Sequence, residues 1–70
     1  MNVEKEVLNK LDMAFNVDLM DKTRISVDEY DEEELVGVLI KNKFTYWKYK
    51  DMKVVDGVKT FKRYIVVFKK

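Results

Sequence analysis

Apolar positions along the first fifteen residues recur at helical spacing. Val3, Val7, Leu8, Leu11, Ala14 and Phe15 make one stripe, with Glu4, Lys5, Asn9, Lys10 and Asp12 on the other side. Asn2 can cap this segment, and Glu4 suits the positive end of its dipole. The pattern predicts an amphipathic helix over residues 3–15. The period then changes. Val17, Leu19, Ile25 and Val27 share one parity, as in extended chain. Either one strand runs through, or two short ones flank a turn at Asp21-Lys22-Thr23, and a short strand over 23–27 is expected.

Residues 26–42 carry signals of both kinds. Ser26-Val27-Asp28-Glu29 and Asp31-Glu32-Glu33-Glu34 each have capping-box spacing, acids crowd the start, and Lys41 and Lys43 follow the end. Gly37 and the β-branched Val36, Val38 and Ile40 would suit a strand instead. A helix over roughly 28–41 is favoured, with a strand as the alternative.

The last 27 residues read as a long β-hairpin, 44–55 and 58–68, around Asp56-Gly57. An Asp-Gly pair between β-rich runs suits a type I′ turn, which needs positive φ at both central positions. A two-residue turn sets Val55 against Val58, Met52 against Phe61 and Tyr49 against Tyr64. It also places Asp51 opposite Lys62, a favourable pair. A three-residue loop would set Lys50 against Lys62 and Lys53 against Lys59, two like-charge contacts instead of one. In the favoured register one face carries Trp47, Tyr49, Tyr64, Val66 and Phe68, and these rings are expected to lie against the helices. The opposite face carries Lys48, Lys50, Lys59, Arg63 and Lys69 among Tyr46, Met52 and Phe61.

The elements sum to a single small α+β domain over residues 1–70: helix, short strand, second helix or strand, long hairpin. This order resembles a trimmed winged-helix domain, with the hairpin as the wing. That resemblance implies a groove-reading helix before the wing. Here that helix would begin with six acids in seven residues (28–34), which phosphates repel, so no recognition residues carry over.

Composition narrows the chemistry. Seventy residues with 47% hydrophobic side chains make one thin core, and a core of this size rarely supplies more than ~3–5 kcal/mol. Cysteine, histidine and proline are absent and there are two glycines. Disulfides, thiolate or imidazole metal sites, histidine catalysis and Gly-rich phosphate loops are therefore excluded. Ser26 is the only serine and has no histidine base. The expectation is a non-enzymatic binding module with no cofactor, no metal and no small-molecule substrate. The six acids could chelate a cation, but a solvated helix start accounts for them more simply. The longest near-continuous apolar run, Leu35 to Ile40, falls far short of the ~20 residues a bilayer requires. The N-terminus lacks the basic-then-apolar order of a secretory signal. No membrane role and a cytoplasmic location are expected.

The net charge of +1 hides an asymmetry. Residues 1–40 hold four bases against eleven acids, a net −7, while residues 41–70 hold ten bases against two acids, a net +8. Seven of the nine aromatic residues also fall between Phe44 and Phe68. Cations mixed with flat rings suit nucleic acid, either DNA or RNA, with Lys48, Lys50, Lys59 and Arg63 on phosphates and Tyr46 and Phe61 stacking on bases. With no base-edge readout evident, weak sequence preference is expected. The competing readings are mutual attraction between the two halves and a second hydrophobic layer under snorkelling lysine stems. An alternative function is a protein-binding regulator or inhibitor, reminiscent of phage and mobile-element accessory proteins. In that role Asp28, Glu29, Asp31, Glu32, Glu33 and Glu34 would meet a basic groove and exposed hairpin apolars would anchor the contact. Opposite charges in the two halves also suggest a homodimer. Finally, Lys62-Arg63 and Lys69-Lys70 bracket the β-prone run Tyr64–Phe68 as charge gatekeepers.

Overall fold

A computed structural model describes residues 2–70. Its elements are helix α1 (Val3–Asp12), strand β1 (Lys22–Ser26), helix α2 (Glu32–Lys41), and strands β2 (Thr45–Val55) and β3 (Val58–Phe68). The strands form one antiparallel sheet in the order β1-β3-β2. This is the small α+β arrangement with a C-terminal hairpin that the periodicities imply. No described helix is long and apolar enough to cross a membrane.

The predicted stripe of α1 is the buried one. Val7, Leu11, Ala14 and Phe15 are buried, Val3 and Leu8 pack at the margin, and Asn2 Oδ1 accepts the Lys5 N–H at 3.1 Å. Regular α-helix ends at Asp12 rather than 15, and a wider π turn, Met13–Val17, follows. The parity seen from Val17 to Val27 is only half realised. Ile25 and Val27 are buried, whereas Val17 and Leu19 are exposed, and Leu19 takes a left-handed φ of 55° where the chain reverses.

The ambiguous stretch divides. Val27–Glu29 is a single 3-10 turn, Tyr30 is extended (φ −140°), and α2 starts only after Asp31. The second capping signal prevails over the first because Asp31 Oδ1 accepts from the Glu33 and Glu34 N–H groups at 3.0 and 3.3 Å. The break at Tyr30 lets Val27 enter the core while the Tyr30 hydroxyl donates to Glu6 Oε1 at 3.2 Å. Helix α2 buries Leu35, Val38 and Leu39 and closes with Lys43 in the left-handed region (φ 61°). There Lys43 N–H donates to the Ile40 carbonyl and Phe44 N–H to the Leu39 carbonyl, the paired bonds of a Schellman stop. That stop fixes where β2 begins.

The hairpin register is the two-residue one: Val55 pairs with Val58, Asp51 with Lys62, Tyr49 with Tyr64 and Lys48 with Ile65. Asp56 and Gly57 both take positive φ, 51° and 77°, as a type I′ turn demands. Eleven residues at ~3.3 Å each make strands of ~36 Å. That length nearly fills the molecule's 40 Å long axis, so the hairpin's distal part projects past the helices as an arm.

The face assignment, in contrast, is inverted. Ile65 and Val67 are fully buried and Tyr46 packs against the core, whereas Trp47 is 67% exposed. The cause lies in β1. It pairs with β3 so that Ile25 faces Ile65, Arg24 faces Val66 and Lys22 faces Phe68. Turning the rings inward would bury Lys22 and Arg24 with them, at a cost that no partner offsets. The face with one apolar residue on β1 therefore becomes the inner one.

Candidate nucleic-acid interface

Two layers leave the sheet's outer face uncovered. Across it, the register sets three rows in sequence: Ser26–Tyr64–Tyr49, then Arg24–Val66–Trp47, then Lys22–Phe68–Thr45. The two tyrosine rings stack with centroids 5.4 Å apart and planes 27° from parallel. The Arg24 guanidinium lies 4.5 Å from the Tyr64 ring centre, and its Nη1 donates to the Tyr49 hydroxyl at 3.3 Å. That hydroxyl is the main reason the guanidinium is held further up than usual, with the nearby Tyr64 and Asp51 adding to it. Arg24 thus sets a cation against the aromatic pair. Trp47 lies two residues along β2 from Tyr49, ~6.7 Å away on the same face, and most of its indole meets solvent. Lys53 and Lys62 extend the cationic rim toward the arm, with Asp51 opposite Lys62 as the one acid.

The residues expected to bind fall into three groups. Lys50, Lys59 and Phe61 are exposed, but on the helix-side face of the sheet, with Lys50 level with Arg63 at the neck and Lys59 and Phe61 on the arm. The two lysines form no ion pair among the described residues. Lys48 and Arg63 converge on Glu32 at the start of α2, at 4.0 and 3.5 Å. All three of these side chains remain over a third exposed, so each pair contributes only ~0–1 kcal/mol. Tyr46 is half-buried against the core and is not available for stacking. Attraction between the acidic and basic halves is therefore real but local. It ties the neck of the hairpin to α2 and leaves most of the lysines untouched.

The acidic segment is similarly divided. Glu29 pairs with Lys10 at 3.1 Å, Glu32 holds the hairpin neck, and Asp31 is occupied as a cap. Asp28, Glu33 and Glu34 are exposed and in no ion pair among the described residues. No group of three or more acids among the described residues is arranged to hold a metal ion.

The aromatic platform is not where the hydrophobic pattern alone puts these rings: that pattern places Trp47, Tyr49 and Tyr64 in the core and gives Arg24 no role. One signal pointed to it. The alternation Lys22, Arg24, Ser26 on β1 marks a solvent face, and whichever hairpin residues share that face must also be outside. No protein-family model, curated protein or solved structure matches this chain.

Proposed function

We propose that this protein binds single-stranded nucleic acid, DNA or RNA, along the outer face of its sheet, with Lys53 and Lys62 extending the track toward the arm. The observation that carries this reading is the uncovered Trp47 beside the Arg24–Tyr64–Tyr49 stack. Unpaired bases can lie on such rings at roughly 1–3 kcal/mol each, whereas bases within a duplex offer no free face. Lys22, Arg24, Lys53 and Lys62 meet phosphates around the platform, whereas Lys50, Lys59 and Arg63 lie on the opposite, helix-side face with Ile65 and Val67 and stand outside this track. Phe61 lies on the opposite face of the arm and is not part of this stacking surface. This face carries no amide side chain, and its one carboxylate, Asp51, sits opposite Lys62, which supports weak sequence preference. The absence of cysteine is compatible with a cytoplasmic site of action.

Trp47 is the only tryptophan, so it reports on its own surface. Titrating the protein with a single-stranded oligonucleotide at about 50 mM salt should quench its fluorescence, with affinity falling steeply as salt rises. A labelled oligonucleotide should bind Trp47→Ala and Tyr64→Ala about tenfold to a hundredfold more weakly. Duplex binding equal to single-strand binding, or unchanged affinity in both variants, would refute the proposal.

One observation favours the second reading, a protein partner: Glu33 and Glu34 project from α2 without internal partners. Reversing both charges would abolish binding to a basic partner surface, yet leave or improve affinity for nucleic acid.

A further inference from the structure

The projecting arm has features that binding nucleic acid does not require. Met52, Val54, Val55, Val58 and Phe61 are all 52–61% exposed, and no helix reaches them. Strand β2 is also an edge along its whole length, since the sheet order places only β3 beside it. Val55 and Val58 flank a two-residue turn and so form a hydrogen-bonded pair. Odd-numbered residues of β2 therefore point their backbone groups at β3, as the Lys53 carbonyl does where Thr60 also reaches it. The N–H and C=O groups of Lys48, Lys50, Met52 and Val54 point outward, with no strand to meet them.

We propose that a second copy of this chain occupies that edge. In this arrangement β2 pairs antiparallel with β2 of the second copy about a two-fold axis at Met52. Two independent features select this register. The first is hydrogen bonding: Met52 faces Met52 of the second copy, and Lys50 faces Val54 of the second copy on either side of the axis. These are the residues whose backbone groups point outward, and three such pairs make about six hydrogen bonds. The second is charge. Asp51 of each copy falls opposite Lys53 of the other, in the closer, non-hydrogen-bonded positions where cross-strand attraction is strongest. A centre at Lys50, Asp51 or Lys53 would put like charges face to face on the axis, and a centre at Val54 would pair no opposite charges. The free edge of β3 is unsuitable, because pairing two copies about Phe61 would set Lys59 against Arg63 twice.

Packing agrees with this register. On the inner side Phe61 and Met52 of one copy continue into Met52 and Phe61 of the other, an unbroken apolar row across four strands. Both helical layers then lie on one side of a six-stranded sheet, and both aromatic faces lie on the other.

Because the chain has no cysteine, the axis can be tested directly. At a hydrogen-bonded antiparallel pair the Cα atoms are ~5.5 Å apart, inside the roughly 4.4–6.8 Å range for a disulfide. Under mild oxidation Met52→Cys should become a covalent dimer almost completely. Phe61→Cys, equally exposed but ~14 Å from its mate, should stay uncrosslinked. By sedimentation the unmodified chain should be a dimer. Lys53→Asp should weaken it about tenfold, and adding Asp51→Lys should restore it. A chain that sediments as a monomer even at millimolar concentration would overturn the proposal. Equal crosslinking at both cysteines, or no effect of the Lys53 reversal, would overturn it too. Met52, Lys53 and Phe61 are solvent-exposed and Asp51 is partly so, and circular dichroism should find every variant folded.

Discussion

Removing the indole of Trp47 should cost no more stability than removing a single methyl group from Ile65. The two residues lie on opposite faces of the sheet, with Trp47 67% exposed and Ile65 fully buried. A large aromatic side chain buries up to ~250 Å². The covered third of Trp47 is then ~80 Å², which at ~25 cal/mol per Å² sets a ceiling of ~2 kcal/mol. Residual compaction of the unfolded chain lowers that figure by ~10–40%, and the alanine Cβ retains part of the contact. The expectation for Trp47→Ala is thus ~1 kcal/mol. For Ile65→Val the deleted methyl leaves a gap in a packed core, at ~0.5–1.5 kcal/mol. If the indole were in the core, Trp47→Ala would instead cost ~3–5 kcal/mol, about the whole stability of a domain this small. Urea denaturation followed by far-ultraviolet circular dichroism measures both variants without relying on tryptophan emission. An unfolded Trp47→Ala, or one several times more damaging than Ile65→Val, would refute the assignment of faces and the binding surface with it.

Two other outcomes follow from local geometry. Lys43 holds a left-handed φ of 61° at the end of α2, where a β-carbon costs ~1 kcal/mol. Lys43→Gly should therefore stabilise the protein by up to about that amount, seen as a higher urea midpoint, and a lower midpoint would contradict it. Tyr30, and after it Glu29, hold the Lys10 ammonium above its ordinary 10.5. A raised value means the contribution is complete below pH 10.5 and is lost as pH climbs through the folded-state value. For this half-exposed pair the gap between the unmodified chain and Lys10→Met should be ~0.5 kcal/mol near neutral pH and should close under strongly alkaline conditions. A gap that widens there would have the sign wrong.

Local signals carried the elements. The stripe from Val3 to Phe15, the Asp31 cap and the Asp56-Gly57 turn each act within a few residues, and the structure places helix, cap and turn where those signals lie. The hairpin register followed for the same reason, because a two-residue turn leaves one pairing and the charges of Asp51 and Lys62 favour it. Strand alternation likewise sorted the hairpin residues into two sets.

Which set faces inward was not a local matter. Aromatic size suggested the rings, yet β1 arrives from forty residues earlier in the chain with Lys22 and Arg24 in line with them and the uncharged Thr23 and Ile25 on the other side. Desolvating two cations outweighs the gain from burying the larger side chains, so the third strand decided the matter. The height of the helices relative to the hairpin is tertiary as well. Because they cover only its base, Tyr46 became core while Phe61, two residues before the arm's neck at Arg63, stayed in solvent. The sequence by itself determined the elements, the turn and the pairing within the hairpin, since those forces act between near neighbours. Only the assembled layers decided which face remains open, since that depends on how distant segments share the work of hiding apolar surface.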